Sequence, residues 1–184
     1  MINKELSNLN IDILAKIGIP KSTVNKLHKL KLKTVGNLAD IDACELQEFI
    51  VKDSNISFEE LMNILSQDLV KFTATLFEFL NNDPIYTMIL LHINNHTLQE
   101  ISVKYGISKD KVMQNINKFL KSLFTLVDAL GAKLIENKPY IAIEDFENVL
   151  KNNDDMSLLI LAFKAHDTKW KYYAQAECFT VIRK

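Results

Sequence analysis

The chain has 184 residues, 48% hydrophobic and 24% charged, with a formal net charge of −1. That balance excludes an intrinsically disordered chain and leaves nucleic-acid binding to be decided by how the charge is distributed. Only Cys44 and Cys178 occur, with no CxxC spacing, which excludes a disulfide framework and a cysteine-built metal site and fits a reducing compartment.

Four glycines and three prolines are few for this length, and with so much Leu, Ile and Lys the composition leans to helix. The opening "MINKELSNLNIDIL" lacks the basic start and apolar run of a signal peptide. The apolar runs "MILL" and "LLILAF" fall short of a membrane span. The expectation is a cytoplasmic protein with no membrane partner.

Pro20, Pro84 and Pro139 each precede a new pattern and divide the chain into modules. In the first, residues 1–68, "STVNKLHKL" follows "GIP", with Pro20 suited to a helix start. Asp42 with Glu45, and Ser57 with Glu60, have capping-box spacing. After Ser57, Phe58, Leu61, Met62 and Leu65 share one helix face. "LVKFTATLFEFL" then reads as a strongly apolar, buried linking helix within 69–82.

The second module spans 83–124. "DPIYTMILLHI" is a helix with Pro84 in its first turn. Thr97 and Glu100 cap "LQEISVKYG", and Gly106 takes the position after that helix where φ is positive. Ser108 is a fresh N-cap for "KDKVMQNINKFLKSL". Val112, Ile116, Phe119, Leu120 and Leu123 share a face, leaving Lys109, Asp110, Met113, Gln114 and Lys121 opposite. In the third module, 125–184, a helix ending near 136, a short strand "PYIAI", helices "EDFENVL" and "MSLLILAFKAH", and a hairpin from "KWKYYAQ" and "CFTVIRK" follow in winged-helix order.

Ser102, a small residue at the helix crossing, Gly106 in the turn, and Ile101, Tyr105, Ile107 and Val112 as inner contacts make a helix-turn-helix. This pattern, with "TLQEI" before it, resembles region 4 of bacterial sigma factors over about 40 residues. The resemblance implies a recognition helix in the major groove, with Ser108, Lys109, Asp110, Lys111, Gln114 and Lys118 towards DNA. Met113 stands where the family usually has arginine, and Asn115 where it usually has an apolar residue.

"GIPKSTVNKLHKLKLKTVGNLADIDACELQEFI", with "SFEEL" opening a later helix, resembles the C-terminal domain of the RNA polymerase α subunit. That likeness implies a compact helical domain holding a helix-hairpin-helix and a second DNA contact through Lys21, Ser22, Asn25, Lys26 and Ser57. Ser22 takes the place of a usual minor-groove arginine, and "SNIS" lacks the usual glycine-lysine pair. Charge separates along this module. Lys21, Lys26, Lys29, Lys31 and Lys33 fall in a stretch without carboxylates. Asp40, Asp42, Glu45, Glu48, Asp53, Glu59 and Glu60 follow against Lys52 alone.

Residues for catalysis are not evident. His92 and His96 lie four apart but lack a third ligand, and no phosphate-cradling glycine loop or serine elbow occurs. Trp170, Tyr172 and Tyr173 could stack on bases, although alternating aromatics on a hairpin more often pack on helices.

The sequence therefore predicts a mostly α, non-enzymatic protein without cofactor or metal. Its parts are a helix-hairpin-helix-like domain, a sigma-region-4-like helix-turn-helix and a winged-helix-like α+β module. The expected function is duplex DNA binding at promoters, with RNA polymerase as a further partner. The alternatives are a protein-interaction module that keeps the folds without the DNA contacts, and a fragment of a longer regulator.

Overall fold

A computed structural model describes residues 1–51 and 56–182. Among them the protein is mostly helical, with one small antiparallel sheet in its C-terminal part. It forms two compact units, Met1–Leu80 and Asn81–Lys184.

Among its described residues the first unit is built from short 3-10 turns and four α-helices: α1 (Lys21–Lys29), α2 (Ala43–Val51), α3 (Phe58–Leu65) and α4 (Leu69–Leu80). Ile11, Ile13, Leu14 and Ile17 of a 3-10 turn are buried together. Gly18 reverses the chain at φ +93, a conformation that glycine adopts without steric cost, and Pro20 leads into α1. Ile56 lies over this reversal: a Cβ on Gly18 would be 3.4 Å from its Cγ2. The chain leading into α3 therefore passes beside the turn leading into α1.

Helix α4, the expected buried linking helix, closes the first unit. Leu69, Phe72, Thr73, Leu76, Phe77 and Leu80 are buried, and the helix packs on the 11–17 turn. Its first backbone N–H, on Leu69, donates to Glu5 at 2.8 Å. It is a core helix of the first unit, because so apolar a stripe is stable only when covered.

The second unit begins with α5 (Pro84–Ile93), α6 (Leu98–Tyr105), α7 (Lys109–Ser122) and α8 (Phe124–Leu134). There follow β1 (Ile141–Ala142), a 3-10 turn (Ile143–Asn148), α9 (Asn153–Ala165), β2 (Trp170–Tyr173) and β3 (Cys178–Val181). The sheet order is β1-β3-β2, both pairings antiparallel, with Phe179 opposite Ile141 on one side and Tyr172 on the other. "EDFENVL", expected as a helix, forms the 3-10 turn and then the bend leading to α9.

Residues 83–124 and 125–184 share a core in place of a boundary. Both α5 and α7 pack on α9. Phe163 of α9 centres an aromatic cluster, 5.0 Å from Phe146 and 5.4 Å from both Phe179 and Trp170, between ring centroids. Tyr86 on α5 donates its hydroxyl to Asp155 on α9, and both side chains are buried. Burial, followed by that carboxylate, pushes the Tyr86 hydroxyl well above the ordinary tyrosine range.

Candidate nucleic-acid interface

The turn between α6 and α7 is fixed by local chemistry. Thr97 accepts from the Glu100 N–H at 3.2 Å, and Glu100 accepts in return from the Thr97 N–H at 2.8 Å. That backbone bond, then the Thr97 hydroxyl, holds the Glu100 carboxyl below its ordinary range. Gly106 ends α6 at φ +64. The Ser102 hydroxyl donates to the Ile107 carbonyl at 2.6 Å, so the residue at the crossing also ties the turn. Ser108 then caps α7 by accepting from the Lys111 N–H at 3.2 Å.

Val112, Ile116, Phe119 and Leu120 of α7 are buried against α5, α6 and α9. Lys109, Asp110, Lys111, Gln114 and Lys118 are all exposed. At about 100° per residue, the row opposite the buried stripe runs Asp110, Gln114, Asn117 and Lys121, with Lys111 and Lys118 flanking it. Lys109 sits at the first position, exposed at the helix end. Asn117 and Lys121 belong to this face by helical period, although the family likeness did not single them out. The helix carries four lysines against one aspartate. Its N-terminus adds a positive dipole end. Met113 and Asn115 are both half-buried, on the shoulders of the helix.

In the first unit Thr23, Val24 and Leu27 anchor α1, and Lys21, Ser22, Asn25 and Lys26 are exposed along it. Lys29, Lys31 and Lys33 continue the basic edge, all exposed. His28 on the same helix meets Asp12 at 2.7 Å. Ser57 caps α3, accepting from the Glu60 N–H at 3.1 Å, and lies next to the Ile56 that covers Gly18. The expected Ser57 thus follows directly on a residue that touches the turn leading into α1. Lys52, Asp53 and the first two residues of "SNIS" lie outside the described residues.

In the part expected to be winged-helix-like, α9 is packed into the core. Leu158, Leu159, Ala162 and Phe163 of α9 are buried, and its first turn carries Asp154 and Asp155. Trp170 is buried, and Tyr172 lies 4.9 Å from Phe179 between ring centroids, so both pack inward. Tyr173 is exposed on the other side of the sheet.

No family model, curated protein or solved structure matches the chain.

Among the described residues no cluster of three or more His, Cys, Asp or Glu side chains could hold a metal ion. No helix among them is long and apolar enough to cross a membrane. The geometry offers two helices, α1 and α7, whose lysine-bearing sides are exposed and whose apolar sides are packed.

Proposed function

We propose that the chain is a DNA-binding, transcription-associated protein that acts at promoters. On this reading α5–α7 is a helix-turn-helix of the sigma-region-4 kind, with α7 in the major groove. The first unit is a relative of the polymerase α C-terminal domain and touches a second DNA segment through α1. The observation that carries the proposal is the solvent side of α7. Asp110, Lys111, Gln114 and Lys118 are exposed there while the opposite side is packed.

The division of labour follows from side-chain chemistry. Lys111, Lys118 and Lys121 neutralise phosphates, which releases counterions and makes affinity salt-dependent. Gln114 can hydrogen-bond adenine bidentately, and Asp110 can accept from the cytosine amino group. Lysine lacks the planar fork with which arginine reads guanine, so the lysines supply affinity more than sequence discrimination.

The test is duplex binding followed by anisotropy across a salt series. Each phosphate contact contributes about −0.9 to the slope of log K against log salt, so three lysines give roughly −3. Lys109→Glu with Lys111→Glu should abolish binding, and Lys118→Ala should lower the slope by about one unit. Absence of duplex binding at low salt would leave the protein-interaction reading, with polymerase or another regulator as partner.

A further inference from the structure

The face of the β-sheet turned away from α9 has no role in the reading above. Alternation places Ile141, Phe179, Trp170 and Tyr172 on the inner side, where they join the aromatic core. The outer side takes Ala142, Cys178 and Tyr173 in one row, and Thr180 with Lys171 in the next. Tyr140 immediately precedes β1 and extends that second row past Thr180. Tyr140 is 47% exposed and Tyr173 43%. Among the described residues neither ring stacks on another aromatic ring. Lys171 holds its ammonium 5.0 Å over the Tyr173 ring. No carboxylate occupies a strand position on this side.

We propose that this outer face is a stacking platform for single-stranded nucleic acid. Tyr173 on β2 and Tyr140 just before β1 are both exposed, roughly 12 Å apart across two strand spacings and one row along the strands. The residues between them, Ala142, Cys178 and Thr180, are small, and Cys178 is buried. Unpaired bases would therefore lie against the exposed tyrosine rings, with Lys171 beside Tyr173 meeting the backbone. Stacking on aromatic rings tolerates every base, so the platform selects for unpaired strand and not for sequence. The cation and the absence of strand carboxylates favour a polyanion over an acid-poor protein surface. The site is distinct from α7 and stands whether or not α7 reads duplex DNA.

The experiment uses the full chain and a fluorescein-labelled ten-nucleotide oligo(dT), with anisotropy at low salt and a matched duplex in parallel. Wild type should bind the single strand. Tyr140→Leu with Tyr173→Leu should weaken that binding at least tenfold, Tyr→Phe at both positions should restore it, and Lys171→Glu should also weaken it. Duplex affinity should be unchanged in all three, whereas Lys109→Glu with Lys111→Glu should lose duplex and keep oligo(dT). Trp170 emission reports that each variant is folded. No oligo(dT) binding by wild type, or undiminished binding by the double leucine variant, overturns the proposal. So does a change in sedimentation caused by the leucine pair, which would assign the face to contact between copies.

Discussion

The indole of Trp170 lies directly on Gly131: a Cβ built at that glycine would fall 2.1 Å from Cζ2 of the ring. Gly131 sits inside α8, where glycine costs helix stability, so its presence there is explained by the ring it admits. Asp128, one helical turn earlier, accepts from the Trp170 indole N–H at 3.3 Å. It also has the Lys169 ammonium at 3.1 Å. The side chain that fixes the start of β2 is thus clamped by one helix at both its face and its polar edge.

Gly131→Ala should therefore destabilise the second unit although alanine is the better helix former. Neither the ring nor the backbone of α8 can yield without disturbing Phe163, and overpacking of this kind costs about 1–3 kcal/mol. Urea unfolding followed by emission of the single tryptophan measures it directly.

Gly106→Ala fails for a different reason. Nothing lies within 4 Å of a Cβ there, but the backbone is at φ +64. The left-handed conformation costs a non-glycine residue roughly 1–2 kcal/mol, while Asn tolerates it better. Gly106→Asn should therefore retain more stability than Gly106→Ala in the same urea series.

The α7 cap gives a third prediction. Ser108→Ala removes the acceptor of the Lys111 N–H and should cost about 1 kcal/mol, whereas Ser108→Gly should cost only a few tenths. Circular dichroism during thermal unfolding distinguishes the two.

Much of this region can be read from short-range signals, because a cap or a left-handed glycine needs only its neighbours. Thr97, Gly106 and Ser108 do in the structure what their spacing predicts. The bounds of the compact units are different. The burial of α4 is legible in its apolar sequence, but nothing local reveals that the 11–17 turn will cover it. The shared core of 83–184 depends on Tyr86 meeting Asp155 across 69 positions of sequence. Tyr140 carries no local signal, because only the pairing of β1 with β3 brings the chain around it beside the sheet.

The second unit should also lose stability in alkali. The folded state holds the Tyr86 hydroxyl above its ordinary value, so it keeps a proton that the unfolded chain surrenders. The contribution is fully present below the ordinary tyrosine pKa of about 10 and disappears as pH rises beyond it. Tyr86→Phe should flatten this alkaline slope. It should also cost about 1–3 kcal/mol at neutral pH, because the buried Asp155 carboxylate loses a donor.

Glu100 works in the opposite direction. Its carboxyl is held low by the Thr97 N–H, so the stability it confers is complete above the ordinary glutamate value and is lost as pH falls through the folded one. Glu100→Gln should leave α6 less sensitive to acid, as followed by helical ellipticity between pH 5 and pH 2, about the range in which carboxylates titrate.

The dependence of α7 on α9 also fixes when, during synthesis, the helix can settle. A nascent chain that has passed Ser122 has made every side chain proposed to face the duplex, and α5 and α6 already cover part of the hydrophobic stripe of α7. Until residue 165 has left the ribosome, the share of that stripe that rests on α9 stays open to water, and the core behind the helix is unfinished.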